Sequence, residues 1–223
     1  MKNRMTASEH WKHELSKNLQ RQCAVEGCTE KRDRIAKYCR YHLRKQRTFG
    51  SPLGRVVRKH EYKWERAIAA DFVEEHQDHP AIKLAQRYLQ TWIDDGVTSS
   101  YRLPANRALR RLYDHGVTSQ ALLSECAALW LHDQIRGVFK SKDEMIFALG
   151  GLVFWAAPVP FKKYTTSVGT TKWKYQKVPT TTKKKLGSDI HSMLSPVLIN
   201  ISRAILKREE EKNQEKRELL TPF

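Results

Sequence analysis

Cys23, Cys28, Cys39 and His42 follow the spacing C-x4-C-x10-C-x2-H, three thiols and one imidazole within twenty residues. That is the donor set of a closed tetrahedral Zn2+ site. Glu26-Gly27 lets the chain turn back between the first two ligands, and Cys39 and His42, three apart, fall on one side of a helix. Both ends of the loop can then reach one ion. Four protein ligands leave no open position for water, so the expected role is structural rather than catalytic. The segment around them holds few apolar side chains, and metal binding worth about 10 kcal/mol or more can substitute for the missing core. Cys126 stands apart among Leu122, Leu123 and Leu129 and reads as a core thiol.

The helix expected after Cys39 carries a second kind of chemistry. At roughly 100° per residue, Arg40, Arg44 and Arg47 form a stripe well away from His42, so three guanidinium groups can meet phosphates or guanine edges while the metal holds the helix from behind. Arg32, Arg34, Lys37 and Lys45 add charge beside it. The whole chain has 223 residues and a formal charge of +17, and that excess is local. Residues 21–60 hold 12 basic and 3 acidic groups, and residues 161–187 hold 8 basic groups and no acidic one, whereas the rest is near neutral. Such concentration points to a polyanion partner rather than to a solubility device.

The stretch from Cys23 to Pro52 resembles the short treble-clef-like zinc finger found at the ends of many bacteriophage and bacterial DNA-binding proteins, including some HNH endonucleases. The likeness covers residues 20–54 and rests on the Val25-Glu26-Gly27-Cys28 turn, the Cys39-x2-His42 helix start, Arg44 with Arg47, and the closing Gly50 and Pro52. It implies zinc binding, DNA preferred over RNA, and a phage-type setting. No His, Asn and His nuclease signature follows residue 54.

The elements that must hold these groups are mostly helices. Thr6 and Glu9 have the capping-box pattern ahead of Trp11, Leu15 and Leu19, which predicts a helix over 6–22. Beyond a Gly- and Pro-bearing linker at 49–54, Trp64, Ile68 and Phe72 mark one face of a helix over 60–77. Pro80 opens a helix ending near Asp95-Gly96, Pro104 opens one ending at His115-Gly116, and Thr118 caps a third that runs to about Gln134. Ser141 and Glu144 form a second capping box before an apolar helix from Met145 to Ala157. Helical spacing returns from about Leu186, with Pro196 expected to kink it or mark a restart. The expectation is a mainly α protein: an N-terminal helix and zinc finger over 1–54, and an α-helical domain over 55–223 carrying one β-hairpin.

That hairpin is predicted over 162–180, where Thr, Val, Tyr and Trp gather around a Ser167-Val168-Gly169 turn. Lys162, Lys163, Lys172, Lys174 and Lys177, with Trp173 among them and Lys183 to Lys185 just after, offer phosphate charge beside aromatic faces. Other constellations have plainer readings. The Glu74 to His79 cluster precedes Pro80 and reads as a helix end and the next helix's cap. The helix pair over 106–134 lacks basic residues on its second member and reads as core packing.

The sequence thus predicts a zinc-dependent nucleic-acid-binding protein, located in the cytoplasm, with no membrane partner and with a charged C-terminal helix suited to homo-oligomer formation, and it leans against catalysis without deciding it. A nuclease with an unrecognised site is one alternative. An assembly protein that binds an acidic partner or RNA is the other.

Overall fold

The computed structural model of the chain describes residues 6–158, 162–174 and 178–220. Among these residues there are eight α-helices and a single two-stranded ribbon, so the chain is mainly α, as its periodicity predicts. It divides into two compact units, Met1–Val56 and Val57–Phe223. No helix among the described residues is long and apolar enough to cross a membrane.

In the first unit, helix α1 (Ala7–Gln20) starts on the expected capping box. The Thr6 hydroxyl accepts from Glu9 N–H at 3.3 Å and the Glu9 carboxylate accepts from Thr6 N–H at 2.8 Å. It stops short of residue 22 because Gln22 enters an antiparallel bridge with Lys31, which forces Arg21 into extended backbone. No α1 residue is buried, and the predicted apolar face leaves Trp11 at 55% and Leu19 at 42% exposure. Helix α2 (Arg40–Phe49) ends where Gly50 adopts φ +83°, a left-handed conformation that glycine takes at no steric cost.

The second unit opens with a 3-10 turn at Lys59–Tyr62 and helix α3 (Lys63–Glu75). Here the predicted face is rotated. Trp64 is 52% exposed, and the buried side is Glu65, Ala69, Phe72 and Val73. The inward face carries Glu65, which pairs inside the core with His132: the carboxyl group lies 2.9 Å from Nδ1 and both side chains are almost fully enclosed. Helix α4 (Pro80–Thr98) opens at its proline and runs through Gly96. Gly96 ends nothing. A Cβ there would stand 2.1 Å from Leu109 Cβ, so the glycine lets α5 (Pro104–Asp114) lie against α4. Helix α6 (Ser119–Arg136), capped by Thr118, is buried on nearly every side.

Ser141 caps α7 (Lys142–Ala156) by accepting from Glu144 N–H, while the Glu144 carboxylate turns to Lys140 N–H instead of closing the box. The ribbon pairs β1 (Lys162–Thr165) with β2 (Thr171–Lys174) around a turn in which Gly169 has φ +79°. Helix α8 (Thr180–Leu220) is one continuous element, so it begins earlier than predicted and Pro196 lies inside it rather than at a restart. Its first turns cross α7 where Gly187 and Gly150 meet; a Cβ at Gly187 would stand 1.7 Å from Ile146 O, and one at Gly150 1.9 Å from Lys183 O. From Leu186 to Ile205 it supplies a buried stripe to the core.

Candidate metal centre and basic surfaces

The knuckle that carries the first two thiols is a short backbone hairpin. Cys23 N–H donates to Glu30 O and Arg32 N–H to Arg21 O, at 2.8 and 3.0 Å, on either side of the Gln22–Lys31 bridge. At its tip Cys28 N–H donates to Val25 O with Gly27 at φ +73°, the turn that the Glu26-Gly27 pair predicts. Two further backbone bonds, Ala24 N–H to Lys37 O and Asp33 N–H to Tyr38 O, bring the chain to Cys39. Cys39 is the N-cap of α2, and His42 lies one turn in.

These elements converge on one point. The ligand atoms of Cys23, Cys28, Cys39 and His42 all lie within 4.8 Å of one another. His42 Nδ1 is 3.4 Å from Cys23 Sγ and 3.3 Å from Cys39 Sγ, and Cys28 Sγ is 4.0 Å from Cys39 Sγ. A tetrahedral ion with the usual zinc–sulfur and zinc–nitrogen bond lengths has edges of about 3.8 Å between sulfurs and about 3.6 Å from sulfur to nitrogen. The four groups therefore fit such an ion with small adjustments. Nδ1 is the ring nitrogen that faces the thiols.

The local electrostatics favour a cation. Burial pushes the Cys23 thiol up, but the Cys39 and Val25 amides and the His42 ring outweigh it and bring it down to about 7. The Cys39 amide reaches that sulfur at 3.3 Å. Cys28 shows the opposite balance: the Glu30 amide favours its thiolate, yet burial and the Cys23 and Cys39 sulfurs raise it overall. Thiolates crowded this closely repel one another unless a positive ion sits among them.

Around this centre the predicted basic residues divide. Arg40, Arg44 and Arg47 are exposed on α2, and so are Arg34 and Lys37 on the approach to it. Lys45 is half-buried with Nζ 5.0 Å from the centre of the Tyr41 ring. Arg32 differs from the others. Its guanidinium donates to Gln22 O and to the Asn18 side chain, tying α1 to the knuckle, so it acts first as a strut. Asn18 was not visible as a functional residue in the sequence, yet its amide bridges the carbonyls of Arg34 and Ala36 at 2.6 and 2.9 Å. Nothing about an asparagine in the last turn of a helix signals that task.

In the ribbon, the register pairs Lys162 with Lys174, Lys163 with Trp173, and Tyr164 with Lys172. Positions 162, 164, 172 and 174 thus share one face, and 163 and 173 the other. Lys177 lies outside the described residues. Lys183 to Lys185 are not part of the ribbon: they belong to α8, where Lys184 pairs with Asp143 at 3.1 Å, Lys185 pairs with Asp189 at 2.8 Å, and half-buried Lys183 covers the Phe147 ring. The Glu74 to His79 cluster is structural. His79 Nδ1 caps α4 by accepting from Ala81 N–H, Asp78 pairs with Lys83, and Glu75 pairs with Arg208.

Comparison with family models, with curated proteins and with solved structures gives no match for this chain.

Proposed function

We propose that the first unit is a zinc-organised nucleic-acid-binding module, with DNA preferred over RNA. The observation that carries this reading is that exposed Arg40, Arg44 and Arg47 ride on a helix whose cap residue Cys39 and third residue His42 both belong to the candidate metal cluster. One ion would fix that helix while its outer surface stays available. Cys23, Cys28, Cys39 and His42 would hold the ion, which would supply a cross-link in place of an apolar core. A ten-residue helix bearing arginines suits the wide major groove of B-form DNA, whereas the major groove of duplex RNA is too deep and narrow to admit it. In the second unit, taken by itself, the ribbon positions of Lys162, Lys163, Lys172 and Lys174 are proposed as phosphate contacts of their own.

Changing Arg40, Arg44 and Arg47 together to alanine tests this reading. Duplex DNA affinity, followed by fluorescence anisotropy, is expected to fall, and the slope of log affinity against log salt to flatten by up to about 2.7. An unchanged slope would sink the proposal.

A further inference from the structure

Residues 61–160 have two more acidic than basic groups, but within them residues 99–113 hold four arginines, two tyrosines and no carboxylate. The fold gathers that stretch. Tyr101, in the loop between α4 and α5, remains 61% exposed although the guanidinium carbons of Arg107 and Arg110 both lie 5.9 Å from its ring centre. The loop is pinned in place: the Asn106 side chain donates to Ser100 O at 3.0 Å, and Arg102 N–H reaches the Ser100 hydroxyl. Arg102, Arg107, Arg110 and Arg111 take part in none of the ion pairs among the described residues.

Two features ask for an anion here. The start of α5 has no side-chain cap and no acidic residue in its first turn, so its positive end is uncompensated. Four guanidinium groups in one short stretch also repel one another without counter-charge. The exposed rings narrow the choice of anion. A duplex backbone needs cations alone, whereas unpaired bases gain from stacking on an aromatic face. Tyr113, 55% exposed and one turn beyond Arg110, offers a second ring.

We propose that the second unit carries its own site for single-stranded nucleic acid, with Tyr101 stacking a base and Arg107, Arg110 and Arg102 holding the adjoining phosphates. The site uses none of the α2 residues and is tested separately. In the full-length chain, Tyr101→Ala and the pair Arg107→Ala with Arg110→Ala are titrated by anisotropy with labelled oligothymidylate, oligouridylate and a DNA duplex. Tyr101→Ala is expected to weaken single-strand binding by about 5- to 100-fold, with Tyr101→Phe close to the unaltered chain. The arginine pair should lower the single-strand salt slope by about 1.4. Duplex affinity should change by less than about twofold, so failure of the α2 reading and failure of this one are told apart. A loss with thymidylate, with uridylate or with both supports the site and says which strand it takes. Unaltered single-strand affinity and slope would overturn it. So would an equal loss on duplex.

Discussion

The Cys23, Cys28, Cys39 and His42 cluster makes the most direct prediction at the scale of single residues. Metal analysis should find about one zinc per chain, lost on Cys39→Ala. Protons compete with the ion for the thiolates, so apparent zinc affinity, measured against a chelator, should fall with pH throughout the neutral range, because the raised Cys28 thiol is already protonated there, and more steeply below about 7, where Cys23 takes up its proton as well. This ligand set was legible in the sequence because its four members sit within one short loop. The Glu65 and His132 pair was not legible, since 67 residues separate its members and each alone looks like a surface group. Glu65→Ala, which strands the His132 ring in the core without its hydrogen-bond partner, should cost about 1–3 kcal/mol by urea denaturation. Replacing both residues by leucine should recover most of that loss.

Helices announce their ends more clearly than their faces. Thr6, Thr118 and Ser141 cap and Pro80 and Pro104 open helices as their side-chain chemistry dictates, because those signals act within one turn. Gly96 and Trp64 were misread for a different reason: whether a glycine stops a helix or admits a neighbour, and which face turns inward, is decided by elements far away in sequence. The α7–α8 crossing gives a sharp test of that distinction. Gly187→Ala gains up to about 1 kcal/mol of helix propensity but drives a methyl group into Ile146 O, so it should lower stability by about 1–3 kcal/mol or more. Gly151→Ala, with nothing within 4 Å of the new methyl, should be neutral or stabilising by up to about 1 kcal/mol. Thermal or chemical unfolding of the two variants checks both signs.

Over the whole molecule, charge and cohesion are distributed differently between the two units. Cys23 and Cys39 of the candidate metal cluster are among the few buried groups of the first unit, whereas the second has a continuous apolar core from Val57 to Ile205. Chelation is therefore expected to abolish amide protection within residues 1–56 while the helical unit keeps its hydrogen-exchange protection and its melting transition. Loss of structure in both units on chelation would show instead that the second depends on the first. The +17 charge was legible from composition, and two of its locations from segment counts. The arginines around Tyr101 escaped that count because the acidic residues of neighbouring helices cancelled them in any window wide enough to span those helices.

Cys126 is fully enclosed in α6, and burial pushes its thiol far above the usual range, so it cannot react while the helical unit stays folded. The chain's four cysteines thereby act as two built-in reporters. Under native conditions an alkylating reagent should add no mass to the metal-loaded protein and three adducts after chelation, with the fourth appearing only when the helical core opens. A single mass spectrum of the labelled chain would then read metal occupancy and core integrity at once, molecule by molecule.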